Sequence, residues 1–214
     1  LANKELEEKI AELSGVSRGT VDRALHHKEG VREEVAERIA NNTLLEVTNN
    51  VPVHKGDVFF IESGTLHAIG KGILIAEIQQ NSTPTYRIYD YGRVGKDGKP
   101  RELHVEKAKE VTNLVPPKYP TTAQGAPTAI EGGKETLLRS CEYFNVNKLE
   151  LDGTTKLTAG EGSFNSLLVL DGAFEIAAGS EKAAAKKGDS LFITAGTGEY
   201  TVTGKGTIIL TDII

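Results

Sequence analysis

Two stretches of the chain repeat one pattern and differ at a residue that could do chemistry. "KGDVFFIESGTLHAIGKG", residues 55–72, returns as "KGDSLFITAGTGEYTVTGKG", residues 187–206. Lys-Gly-Asp, Phe-Ile and Gly-Thr keep a common offset, and Gly-Lys-Gly follows in both after a different gap. The first copy carries His67 just after Gly-Thr; the second has Glu199 at the equivalent place. An imidazole at a strand edge, beside a turn whose glycines allow close backbone approach, is how a small β-barrel aims a metal ligand inward, and zinc or iron would suit it. The competing reading is a half-exposed polar residue on a turn.

The elements that must position this histidine come in three textures. Leu6, Ile10 and Leu13, then Val31, Val35 and Ile39, recur at helical spacing, so residues 1–40 read as helices. Residues 44–91 read as short β-runs broken by glycine, among them "DVFFI", "ILIAEI" and "YRIYDY". Residues 111–140 hold four of the seven prolines and read as an irregular connector. From Leu137 onward a second β-rich block carries closely spaced turn signals, including Asp152-Gly153, Asp171-Gly172 and Gly188-Asp189. The expectation is a mainly β protein of jelly-roll type. Residues 137–214 suffice for a complete small barrel, while 44–91 hold only the later strands of one.

Bulk properties narrow the function classes. The 214 residues can bury a sizeable core, and the net charge of −5 is spread along the chain. That balance argues against a nucleic-acid coat or a membrane-surface protein. Cys141 is the only cysteine, so no internal disulfide forms and a reducing cytoplasm is the expected setting. The longest apolar run, 72–76, is far too short to span a bilayer. The chain lacks methionine and starts at Leu1, as a fragment, a processed chain or a fusion would.

The motifs "SGTLHAIGKG", "EIQQNS" and "YRIYDYGR", within residues 51–111, resemble the short bacterial type I mannose-6-phosphate isomerases, and the resemblance runs from about residue 33 to residue 214. Those are two-cupin zinc enzymes that interconvert mannose 6-phosphate and fructose 6-phosphate. The resemblance implies that His67 is a zinc ligand, that Glu77 lies in the sugar pocket, and that Arg87 sits beside the reacting carbons. It also implies a metal-free second cupin, which accounts for Glu199. The residue types suit proton transfer between C1 and C2: a metal polarises the sugar oxygens, a cation steadies the enediolate, and a carboxylate carries the proton. On a strand, Glu77 and Gln79 would share one face. Glu77 as an outward solvated residue, and Arg87 as a surface partner of Asp90, are the bland alternatives. The family's metal site needs a Gln-x-His pair and a further Glu upstream, yet no glutamine precedes Gln79. His26 and His27 fall in a helical segment, and His54 and His104 read as surface residues. The expectation is therefore weak zinc binding and little or no turnover.

Residues 9–39, "KIAELSGVSRGTVDRALHHKEGVREEVAERI", resemble the helix-turn-helix of the lactose-repressor family. Ser14-Gly15-Val16 makes the turn, and Ser17 caps a second helix that packs Val21 and Leu25 inward. Arg18 would then read base edges, with Ser17, Thr20 and Arg23 nearer phosphates. Residues 1–40 hold 7 Lys/Arg against 9 Asp/Glu, a poor balance for DNA. A helical cover for the open edge of a half barrel is the alternative. The expected division is a helix-turn-helix-like segment at 1–40, a partial catalytic-type cupin at 41–110, a connector at 111–136, and a metal-free cupin at 137–214. An isomerase of sugar phosphates is the leading reading. A DNA-binding regulator fused to a sugar-phosphate-sensing cupin and an accidental join are the others.

Overall fold

The computed structural model describes residues 34, 35, 37–41, 43–82, 85–113 and 117–213. The chain divides into two compact units. The first comprises Leu1–Lys55 and Ile61–Tyr119, the second Gly56–Phe60 and Pro120–Ile214. Among the described residues no helix is long and apolar enough to cross a membrane.

The second unit is one antiparallel sheet of seven strands: β1 (Thr128–Ile130), β2 (Gly133–Ser140), β3 (Phe144–Ala159), β4 (Asn165–Ala178), β5 (Glu181–Lys186), β6 (Ser190–Ile193) and β7 (Gly198–Ile213). Its order is β1-β2-β3-β7-β4-β5, with β6 also on β4. β7 is the spine, laddered to β3 on one edge and β4 on the other. Strand residues alternate faces, so β3 buries Leu149 and Leu151 while β7 buries Tyr200 and Val202. β4 buries Leu167 and Val169, then switches parity to Phe174 and Ile176. A register shift between Val169 and Asp171 makes that switch, so both arms of the strand face the same core. Gly172 sits opposite Gly206 at the bend, where a Cβ on Gly172 would collide with the Lys205 carbonyl. Only glycine allows the two strands to cross this closely.

Three expectations for this block need correction. The turn signals at Asp152-Gly153 and Asp171-Gly172 lie inside β3 and β4, whose ladders to β7 run on through them. The strands begin at Thr128, ahead of Leu137, because 128–130 and 133–140 close a hairpin over Glu131-Gly132 within the stretch read as connector. The ladders also form an open path, with no pairing among the described residues that joins β5 or β6 back to β1, rather than the closed ring expected for 137–214.

The first unit departs further from expectation. Residues 34, 35 and 37–40 are helical, as the Val35 and Ile39 spacing predicts, and Ile39 is buried. A 3-10 turn follows at Leu44–Val47 and a helix, α1, at Val105–Val111. Residues 51–91, expected to pair as half of a barrel, contain no strand among those described. Residues 66–77 are all exposed, Leu74 to 92%. An apolar β-run becomes a strand only when a neighbour takes its backbone groups along a ladder, and the described residues of this unit supply single bonds, such as His104 N–H to the Arg87 carbonyl, without a ladder.

Candidate active site

Three short structures carry His67, Glu77 and Arg87. His67 follows the turn at Gly64, whose φ of +85° is the left-handed region that glycine favours. The turn is tied to the end of α1. Asn113 N–H donates to the Gly64 carbonyl at 2.8 Å, and a Cβ on Gly64 would collide with the Val111 carbonyl. The His67 Nδ1 lies 2.8 Å from the Thr65 carbonyl oxygen. A carbonyl only accepts, so Nδ1 holds a proton, and in the neutral ring Nε2 is the nitrogen with the lone pair. That is the arrangement of a metal-ligating histidine, one ring nitrogen held by the backbone and the other free to coordinate.

Glu77 is exposed, and so is Gln79, with half-buried Ile78 between them. Ala76 and Gln80 are exposed as well and no strand forms here, so the shared strand face expected for Glu77 and Gln79 is not present.

Arg87 sits in a hairpin-like arrangement that the "GKDG" at 95–98 makes. Gly95 N–H donates to the Lys99 carbonyl at 2.7 Å, Lys99 N–H to Asp97 Oδ1 at 3.1 Å, and Val94 bridges Pro100. The chain then runs back so that Arg101 meets Asp90 and His104 meets Arg87. Arg101 Nε donates to Asp90 Oδ2 at 2.6 Å, and its Nη2 binds the other oxygen. Arg87 Nε lies 4.0 Å from Asp90, and its Nη1 donates to the Glu102 carbonyl at 3.4 Å. Those Arg101 hydrogen bonds hold the Asp90 carboxyl below its ordinary range. Partial burial opposes the shift, and the charges of Arg101, Arg87 and Arg93 reinforce it. Asp90 stays ionised, and Arg87 is braced by it rather than neutralised. Aromatic rings stand alongside: Arg93 lies over Tyr91 at 5.4 Å, Tyr91 meets Tyr89 edge-on, and Lys107 lies over Tyr86 at 6.0 Å.

No hydrogen bond or ion pair joins His67, Glu77 and Arg87 to one another, and no three His, Cys, Asp or Glu side chains among the described residues cluster to hold a metal. A zinc centre needs about four donors. His67 fits as one, and the described residues do not complete the set. Arg101 and His104 were missed by sequence reasoning. The Asp97-Gly98 turn signal could have found them, since a reversal there sets 87–90 against 101–104. Ser17, Arg18, Thr20 and Arg23, the candidate DNA contacts, lie outside the described residues.

Known proteins resemble this chain in both halves. Residues 134–213 match the family described as "Mannose-6-phosphate isomerase, cupin domain". The chain is similar to the mannose-6-phosphate isomerase ManA of Bacillus subtilis, 37% identical over 187 residues, 87% of this chain and 58% of that one. It is likewise similar to the mannose-6-phosphate isomerase of Streptococcus mutans, 36% identical over 78% of this chain and 52% of that protein. The crystal structure of a mannose 6-phosphate isomerase from Bacillus subtilis superposes with a TM-score of 0.75 at 30% identity, over 84% of this chain and 56% of that chain. This chain therefore spans little more than half the length of these relatives.

Proposed function

We propose that this chain carries the arginine part of a mannose 6-phosphate/fructose 6-phosphate isomerase site. The carrying observation is Arg87, braced by Asp90 and the Glu102 carbonyl, within a chain similar to proteins named mannose-6-phosphate isomerase. Its remaining guanidinium N–H groups and its positive charge would steady the oxygen anion that forms as a proton leaves C2. Glu77, exposed to solvent, is the carboxylate for that proton. His67 would offer one zinc donor through Nε2, and zinc held there would polarise the sugar oxygens. In this proposal the site lies within 41–110 and the sheet that starts at Thr128 is scaffold. We expect sugar-phosphate binding with weak or no turnover.

The test is a titration of the purified chain with mannose 6-phosphate, read by amide chemical shifts, beside a coupled assay for fructose 6-phosphate in added zinc. Loss of binding in Arg87→Ala supports the reading, and unchanged binding overturns it. Turnover that vanishes in His67→Ala would mean the zinc set is completed elsewhere. No observation favours the regulator reading, whose DNA contacts fall outside the described residues.

A further inference from the structure

His104 reads as a surface residue in the sequence, yet its contacts single it out. The Arg87 N–H donates to His104 Nδ1 at 3.1 Å, and the His104 N–H donates to the Arg87 carbonyl at 2.7 Å. Side chain and main chain of one residue thus grip both main-chain polar groups of the other. His104 also occupies the N-cap of α1, a place where a side-chain acceptor ordinarily bonds the first free N–H groups of the helix. Here no side-chain cap forms, because the only acceptor of the ring is turned to Arg87. The helix instead starts from the main chain, with Ala108 N–H on the His104 carbonyl at 2.9 Å. Tyr86 stands against the imidazole at 6.0 Å between ring centres.

We propose that His104 is a positioning residue for Arg87, acting through an unprotonated Nδ1. This rests on the assignment of Arg87 to the sugar-phosphate site. An N–H aimed at Nδ1 requires a lone pair there, so the ring carries its proton on Nε2. That is the opposite tautomer from His67. Because α1 meets Arg87 through His104 at one end and Gly64 through Val111 and Asn113 at the other, the helix is the strut between the Arg87 hairpin and the His67 turn.

The test combines a tautomer measurement with a variant series on the full chain. Long-range proton–nitrogen spectra should show the His104 Nδ1 bare and Nε2 protonated. His104→Ala should weaken mannose 6-phosphate binding about tenfold, the effect of one well-placed hydrogen bond. Asparagine puts an oxygen near the Nδ1 position and should hold binding within about threefold, whereas His104→Gln, whose acceptor mimics Nε2 instead, should behave like alanine. Gln also guards against a folding defect, since both amides are similar in polarity and bulk. Equal affinities across the series, or a protonated Nδ1, overturn the proposal. If Arg87→Ala also binds normally, or the wild-type chain does not bind the sugar phosphate, the functional reading fails and takes the positioning role with it. The tautomer then still decides whether the Arg87–His104 contact exists.

Discussion

Gly56 and Gly188 occupy equivalent places in the two copies of the repeat, and their φ angles are +99° and +91°. Gly64 and Gly196 match as well, at +85° and +78°. The same turn bond closes both copies, Thr65 N–H to the Glu62 carbonyl at 3.1 Å and Thr197 N–H to the Thr194 carbonyl at 3.3 Å. Beyond that turn the copies part. Residues 198–213 form β7, with a ladder on either edge, while 66–77 lie exposed and unladdered. Gly206 lies within the strand at a φ of +145°, whereas Gly72 has a φ of +80° in a turn with Lys71. Turns depend on residues adjacent in sequence, so the repeat reproduces them. Strands depend on partners far along the chain, and β7 has β3 and β4 while its counterpart has no equivalent among the described residues.

Amide exchange gives the sharpest contrast between the copies. The core amides of β7, such as Val202, Ile208 and Leu210, should exchange at least about a thousandfold more slowly than those of 66–77, since opening them requires unfolding the sheet. Comparable protection in both copies would mean that 66–77 has a strand partner in solution, and the comparison would break.

Matched glycine substitutions come next in size. A Cβ at Gly206 would collide with the Asp171 carbonyl, so Gly206→Val should cost the sheet more than about 3 kcal/mol in urea unfolding. Gly72 has nothing within 4 Å of an added Cβ, so valine there meets only its φ of +80°, a strain of about 1–3 kcal/mol that a turn free to rearrange would relieve. Equal costs would show the second glycine to be as constrained as the first.

A smaller effect tests the polar link inside the sheet. Asn165 Nδ2 donates to the Tyr200 hydroxyl at 2.8 Å and to the Thr158 carbonyl at 3.0 Å. Burial pushes the Tyr200 phenol above its ordinary pKa, the Asn165 hydrogen bond opposes this, and the Asp212 charge adds to it. The folded state thus favours the protonated phenol. Its contribution is fully present below the ordinary tyrosine value of about 10 and is lost as pH rises through the higher folded one. Tyr200→Phe should lower stability by about 1 kcal/mol at neutral pH and flatten the alkaline loss. A mutant whose alkaline unfolding matches the wild type would place that titration elsewhere.

How much of this was legible depended on the range of the interaction. The turns at Gly56, Gly64, Gly188 and Gly196 and the helix around Ile39 follow from local pattern and are present, whereas Asp152-Gly153 and Asp171-Gly172, which read as turns, lie inside β3 and β4 because β7 ladders straight through them. The β-runs at 44–91 carry equally good local signals, yet Leu74 and its neighbours form no strand, because the pattern says which residues can pair and not whether a partner exists. The early start at Thr128 escaped notice because Pro120 and Pro127 punctuate the approach to it. At the candidate site, motif resemblance singles out His67, Glu77 and Arg87. The contacts that hold Asp90 and Arg87 come from residues 11 and 17 positions away, where no periodicity reaches.

The smallest prediction returns to the residue that distinguishes the copies. Glu199 stands where His67 does, and in the folded sheet it pairs with Lys156 at 3.1 Å, both side chains largely exposed. Such a pair is worth well under about 1 kcal/mol, so Glu199→His should leave stability nearly unchanged. It should also fail to create a zinc site. Directly across the ladder lies Thr158, the nearest charged partner is a lysine, and no cluster of ligating side chains among the described residues surrounds the position. A histidine binds metal when its ring is fixed and other donors converge on the same point. His67 has the first through Thr65, whereas a histidine at 199 would have an ammonium beside it, which repels a cation. Competition titration with a colorimetric zinc chelator should show no added binding in Glu199→His and a measurable loss in His67→Ala. Zinc taken up by the new histidine as tightly as by the old one would show that the turn alone makes the ligand, and that the two copies differ in nothing but the side chain.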